Sequence, residues 1–111
     1  MINWARIDEL YEDFGADGFT DIAEVFVAEV AESLDRLSAA QDPESLRAEF
    51  HFLKGAALNL GFDDMSRLCA EAEERAARNQ YCTTQTAQIL EQMPATCEVF
   101  LKQWPARLAD S

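Results

Sequence analysis

Basic residues are scarce in this sequence. It has 9 Lys and Arg against 21 Asp and Glu, which gives a formal net charge of -12 at pH 7. A chain with this charge repels phosphate backbones and anionic headgroups, so the composition argues against nucleic acid and against a membrane surface as partners. A partner protein with a basic surface is favoured instead.

Long apolar runs are also lacking. None approaches the ~18 residues that a membrane-spanning helix needs, and the N-terminus lacks the charged-then-apolar pattern of a signal peptide. Nearly half of the residues are nevertheless apolar, 49%, which argues against disorder. These features predict a soluble, cytoplasmic protein.

Metal ligands are few. The three cysteines, Cys69, Cys82 and Cys97, form no C-x-x-C pair, and with a single histidine they make a poor zinc set. We therefore expect no metal site and no cofactor of the chain's own. The odd number of cysteines predicts reduced thiols, and Cys69 and Cys97 occupy apolar helical positions that are typical of small core residues.

Only 4 Gly and 3 Pro interrupt the chain. Apolar residues recur every three or four positions throughout, a spacing that predicts helices and leaves no strand pattern. The length fits one domain over residues 1–111. We predict an all-α fold: an antiparallel up-down-up-down four-helix bundle with a short N-terminal capping helix. The initial Met and the compact ends favour a free-standing protein, and a monomer is expected because no apolar stripe requires self-association.

Capping and turn residues predict where the first helices begin and end. Asn3 can cap the short N-terminal helix, and Gly15 ends it. Asp17 and Gly18 then form a turn before a second helix over about residues 21–39.

The remaining helices are marked by similar signals. Asp42-Pro43 is a strong start signal, because a cap residue precedes a proline at the first helical position. This third helix runs to about Asn59, with Gly61 as its C-terminal cap. The fourth begins at a cap formed by Asp63 or Asp64, and the last covers about residues 84–108, where Pro94 should kink or split it.

The one histidine, His51, lies in the middle of the third predicted helix. At ~100° per residue, the side chains of this helix separate into two stripes. One has the 4-3-4-3 spacing of a buried face and comprises Leu46, Phe50, Leu53, Ala57 and Leu60. The second, which places His51 at the edge of the core or outside it, comprises Arg47, His51, Lys54, Gly55 and Leu58.

Two neighbours of His51 suggest a chemical role. Gly55 costs ~1 kcal/mol of helix stability relative to alanine and leaves open space one turn beyond the ring. Lys54 brings a positive charge that would attract an anion carried by the ring. An accessible imidazole beside a cation suits nucleophilic attack on phosphorus. A lone helical histidine is more often an ordinary surface or core residue, and these residues alone leave the two interpretations about even.

The run His51-x-Leu53-Lys54-Gly55-Ala56-Ala57-x-x-Leu60-Gly61 resembles the motif of histidine-containing phosphotransfer (HPt) domains, the relay modules of multistep two-component signalling. The similarity extends more weakly over residues 20–80, and includes Phe26, Leu68 and Cys69. The chain departs from the pattern at Phe50, where the family often has a small residue, and at Ala56 and Ala57, where serines are common.

The resemblance implies a four-helix bundle in which His51 takes a phosphoryl group from a receiver aspartate and passes it to another. Expected partners are response-regulator receiver domains and a hybrid sensor histidine kinase. Lys54 would stabilise the phosphoryl group, and Gly55 would leave steric access to the ring. The receiver would supply Mg²⁺, so the chain would be a phosphocarrier and not an enzyme with turnover of its own.

A hairpin between the third and fourth predicted helices places Glu73 near His51. If the turn centres near Phe62, His51 lies eleven positions before it and Glu73 eleven positions after it, at the same height. A carboxylate there could accept a hydrogen bond from Nδ1-H and leave Nε2 free as the nucleophile. Alternatively, Glu73 is one member of the charged run from Glu71 to Arg75.

Four further residues are candidates for a docking surface. Arg47 and Leu58 share the stripe of His51. Val27 and Leu34 widen the apolar arc of the second predicted helix beyond what one buried face needs. These two side chains either pack on a neighbouring helix or form an exposed patch.

Two other functions stay open at this point. The chain could be a helical interaction module in which His51 is incidental. It could also be an independent hydrolase with His51 as a base, although it has no second histidine, no nucleophile on the same stripe and no glycine-rich phosphate loop.

Overall fold

The computed structural model describes residues 2–109, with side chains up to residue 106. That part of the chain contains four helices and no strand, which confirms the all-α prediction. None of these helices is both long and apolar enough to cross a membrane. The helices are α1 (Trp4–Ala39), α2 (Pro43–Asn59), α3 (Asp63–Ala77) and α4 (Thr83–Ala109).

Helix α1 is interrupted once, at Gly15. This residue has φ 74° and ψ 175°, a conformation that residues other than glycine rarely adopt. The helix resumes at once, and the Thr20 hydroxyl donates a hydrogen bond of 3.0 Å to the Ala16 carbonyl. The predicted turn at Asp17 and Gly18 is therefore wrong, since both residues are helical.

Packing explains why the chain is helical where a turn was predicted. Phe19 is 1% exposed, and its ring lies 4.7 Å from Trp104 and 6.3 Å from Phe100, measured between centroids. Because Phe19 lies on the buried face of α1, the chain is already helical before residue 21, where the sequence predicted the helix to begin. Tertiary burial here outweighs the turn preference of Asp-Gly.

Helix α2 has the bounds that the sequence predicted. The Asp42 side chain accepts a hydrogen bond of 2.9 Å from the Ser45 N–H, and Pro43 occupies the first turn. The buried stripe is confirmed as well, since Phe50, Leu53, Ala57 and Leu60 are at most 1% exposed. The face opposite this stripe is left to solvent, and it carries His51.

The end of α2 is closed by backbone hydrogen bonds around Gly61. Phe62 N–H donates to the Ala57 carbonyl at 2.8 Å, and Gly61 N–H donates to the Leu58 carbonyl at 3.2 Å. This pair of bonds is the Schellman motif, which requires a left-handed residue, and Gly61 has φ 75°.

Helices α3 and α4 depart from the sequence predictions in detail. Phe62 precedes α3 without a side-chain capping bond, so the cap predicted at Asp63 or Asp64 is wrong. Both aspartates lie in the first turn, where their negative charge interacts favourably with the positive end of the helix dipole. Helix α4 continues past Pro94 and Pro105 and is not split.

The helices pack in a cycle in which α1 contacts α2 and α4, and α3 contacts the same two helices. Cys69 and Cys97 are buried free thiols, as predicted for small core residues, and Cys82 is buried as well. The start of α1 is attached to the α2–α3 turn, because Asn3 N–H donates to the Gly61 carbonyl at 2.6 Å. The Asn3 amide also donates to the Asp63 carboxylate at 3.2 Å.

We predict that Gly61→Ala destabilises the fold. A methyl group there would lie 2.6 Å from the Asn3 carbonyl oxygen, on a residue with positive φ. The expected loss is about 1–3 kcal/mol in the free energy of unfolding, measured by urea denaturation. Gly55→Ala is the control, because a methyl group at Gly55 meets nothing within 4 Å and helix propensity should make this variant more stable. Equal stability of the Gly61 variant and the wild type would contradict the role of this turn.

Candidate functional site

His51 lies on the outer face of α2. Its side chain is 71% exposed, so the ring is open to a partner. Of the other residues on this stripe, Arg47 and Leu58 are exposed, while Lys54 and Gly55 are half-buried. The surface around the histidine is thus made by one helical face, with the core directly behind it.

Glu73 on α3 contacts both His51 and Lys54. One carboxylate oxygen, Oε2, lies 2.8 Å from His51 Nδ1, and the other, Oε1, accepts a hydrogen bond of 2.6 Å from Lys54 Nζ. The Glu73 side chain is only 17% exposed. The hairpin places this carboxylate at the height of the histidine, as the equal spacing of His51 and Glu73 about Phe62 predicts.

The Glu73 carboxylate is held in its ionised form. Burial raises the pKa of this carboxyl, but the hydrogen bonds from Lys54 and His51, with their charges, outweigh burial and bring the pKa below its usual value. An ionised carboxylate is an acceptor only, so the tautomer of His51 that fits it has its proton on Nδ1. In that tautomer Nε2 carries the lone pair and faces away from Glu73.

Lys54 makes a contact that the sequence analysis did not predict. Its ammonium group is bound to the Glu73 carboxylate. The spacing about Phe62 could not reveal this contact, because Lys54 and Glu73 stand at different heights in the hairpin. The lysine side chain is long enough to span the difference in height between the two residues.

Gly55 leaves open space one turn beyond His51. A methyl group built on it would meet no atom within 4 Å. Within the part of the chain that the structure describes, no contact therefore explains why glycine, the poorest helix former after proline, stands at this position.

A shallow depression of about 450 Å³ surrounds the imidazole. Arg47 and Ala48 line it on α2, and Glu73 lines it on α3. Glu44, one turn before Arg47, is a lining residue that the sequence analysis did not single out. Among the residues that the structure describes, no group of three or more His, Cys, Asp or Glu could hold a metal ion.

Comparison with known proteins gives the family. The model of the family described as "Hpt domain" matches residues 21–110, which include the hairpin and His51. This chain belongs to the Hpt domain family. One curated relative is the phosphorelay intermediate protein YPD1 of Candida albicans, 34% identical over 74 residues, which cover 62% of this chain and 40% of that protein. The chain thus spans well under half of this relative, and no solved structure gave a match.

Two of the candidate docking residues of this Hpt domain lie away from the depression around His51. Leu34 is only 8% exposed, and Val27 packs half-buried against the core. Both line a groove between α1 and α4 instead. They fit the alternative in which the wide apolar arc packs on a neighbouring helix. Phe50 is fully buried, so of the two phenylalanines flanking His51 only Phe52 is partly exposed.

The low pKa of Glu73 predicts a specific pH dependence for the stability of this Hpt domain. The stabilisation that Glu73 provides should be complete above its usual pKa of 4.5. It should be lost as the pH falls through the lower pKa that this carboxyl has in the folded state. We expect Glu73→Gln to lose less stability than the wild type between about pH 6 and pH 3, measured by urea denaturation.

The control for this experiment is Glu74→Gln, which removes the same charge from an exposed position on the same helix. Its stability profile should follow that of the wild type. If Glu73→Gln also followed the wild-type profile, the contacts of Glu73 would not hold its pKa down.

Proposed function

We propose that this Hpt domain carries a phosphoryl group on His51 between the aspartates of receiver domains in two-component signalling. The observation that carries the proposal is the exposed imidazole whose Nδ1 is bound to a partly buried carboxylate, which leaves Nε2 as a free nucleophile. The name of the Candida albicans relative, a phosphorelay intermediate protein, agrees with this assignment.

In the first step, the Nε2 lone pair forms a bond to the phosphorus of an aspartyl phosphate. The bond between phosphorus and the aspartate oxygen breaks, and its electron pair leaves with the carboxylate. The imidazole gains positive character in this step, and the ionised Glu73 beside Nδ1-H stabilises that charge. In the second step a carboxylate of another receiver attacks the phosphorus and His51 leaves.

Lys54 stabilises the phosphoryl oxygens in this proposal. Its ammonium group is already held near the ring by Glu73, so only the end of a flexible side chain has to turn toward the new anion. Exposed ion pairs contribute about 0–1 kcal/mol, and this half-exposed pair can rearrange when a doubly charged group appears. The receiver contributes the Mg²⁺, and the chain acts as a phosphocarrier without turnover of its own.

The arrangement of the fold supports an open site. We infer an antiparallel up-down-up-down bundle with the segment before Gly15 as a capping helix. The cyclic packing of the helices supports this arrangement, as does the hydrogen bond from Asn3 to the α2–α3 turn.

The net charge of -12 opposes self-association, and three free thiols suit a reducing compartment, so we propose a cytoplasmic monomer.

Incubation with a panel of pre-phosphorylated receiver domains tests the proposal. Radiolabel should appear on the wild-type chain, disappear in acid and persist in alkali, as expected of a phosphohistidine. His51→Gln should take up no label and should keep its helical content, because an exposed side chain contributes little packing energy.

Either of two results would overturn the assignment. Label on the His51→Gln variant would place the phosphoryl group on another residue. An unlabelled wild type with every receiver in a broad panel would favour a helical interaction module, which would bind its partner independently of His51.

The open space at Gly55 predicts a steric effect on transfer. Gly55→Leu should fold, because the added side chain meets no atom near its point of attachment. It should slow transfer from a receiver by about tenfold or more, since a displacement of ~1 Å can cost ~10²-fold in such reactions. Gly55→Ala is the matched control and should retain most of the transfer rate. Unchanged transfer in the leucine variant would show that receivers do not approach this side of the ring.

A further inference from the structure

A groove of about 470 Å³ runs between α1 and α4 and takes no part in the site around His51. Its floor is apolar and buried, and its walls come from the two helices alone. The lining residues on α1 are Val27, Val30, Ala31, Leu34 and Asp35, and those on α4 are Leu90, Pro94, Cys97, Glu98 and Leu101.

The walls of the groove expose apolar side chains to solvent. Leu101 is 39% exposed, and Pro94 and Ala31 are exposed as well. The residues from Val27 to Asp35 span about 12 Å of α1, and those from Leu90 to Leu101 span about 16 Å of α4. The open apolar strip is therefore two to three helical turns long, which matches a short amphipathic helix laid along it.

Carboxylates border the groove on both sides. Asp35 stands on the α1 wall and Glu98 on the α4 wall. Between Arg6 and Arg36 the chain has ten acidic residues and no Lys or Arg. On α4, Lys102 pairs with Glu98 at 2.9 Å, but both side chains are largely exposed. Such an exposed i,i+4 pair contributes little to stability, so a partner's cation can compete for Glu98.

We propose that the α1–α4 groove binds a basic amphipathic helix of a partner protein. Apolar side chains of that helix would fill the floor, and its lysines or arginines would reach Asp35 and Glu98. A second copy of this chain fits poorly, because both copies carry a charge of -12. The groove lies between α1 and α4, whereas the depression around His51 lies on α2 and α3. This surface is therefore separate from the phosphotransfer site.

The test uses the whole chain and a synthetic probe, a helical peptide of about 15 residues with a leucine face and a lysine face. A peptide of the same pattern with glutamate in place of lysine is the charge control. Binding is measured by calorimetry, and its location by amide chemical shifts of the ¹⁵N-labelled chain. The lysine peptide should shift amides along both groove walls, and the glutamate peptide should not bind.

Variants of the chain separate a specific groove from general attraction to an acidic protein. Leu101→Asp in the groove should weaken binding about tenfold or more, since it places a charge on the apolar contact. The double variant Asp35→Lys and Glu98→Lys should weaken it as well, with a smaller salt dependence. Val99→Asp is the matched control, because Val99 is an exposed apolar residue of α4 outside the groove, and it should bind as the wild type does.

Three results would overturn the proposal. They are equal weakening by Val99→Asp and Leu101→Asp, shifts spread over the whole surface, and a wild-type dimer that Leu101→Asp dissociates. All substituted residues are exposed, and circular dichroism of each variant should show wild-type helical content. The experiment involves no phosphoryl transfer, so its outcome is independent of the function proposed for His51.

Discussion

At the turn between α2 and α3, Gly61 adopts a positive φ that lets two backbone N–H groups close the end of α2. Because the turn is tight, it fixes how the two helices face each other along their length. That register brings the partly buried Glu73 against the exposed His51, eleven residues to either side of Phe62. The same glycine carbonyl binds the start of α1, so one turn holds the hairpin together and attaches the N-terminal segment to it.

Much of this hairpin could be predicted because its signals are local. A capping aspartate followed by Pro43 marks the start of α2, and a glycine past its last apolar residue marks the end. The buried stripe of α2 follows from the helical period alone, because that period places Leu53 and Ala57 on the same apolar face. With both ends and the turn known, counting residues from Phe62 is enough to find Glu73.

Features that depend on contacts between distant parts of the chain could not be predicted. Asp17 and Gly18 are helical because Phe19 packs on α4, more than eighty residues away, and no local pattern contains that contact. Leu34 is buried in the structure, although its position in the sequence also suited an exposed patch. The bond from Lys54 to Glu73 depends on the reach of a flexible side chain, which residue spacing does not measure.

The bond between Lys54 and Glu73 changes the electrostatics of the proposed relay. A lysine free in solvent would only attract the phosphoryl group, but this lysine first neutralises the carboxylate that orients His51. In the proposed relay, a phosphoryl group that draws Lys54 away would leave Glu73 its hydrogen bond from Nδ1-H but would remove the ammonium group that balances its charge. The phosphorylated state would then hold two anions around one imidazole, with a single lysine between them. Two neighbouring anions repel each other, which would favour passing the phosphoryl group on over keeping it. A neutral amide at position 73 would remove that repulsion, but its NH2 group could also donate to Nδ1, so it would not fix the tautomer. In this proposal the carboxylate therefore combines orientation of the ring with a drive toward transfer.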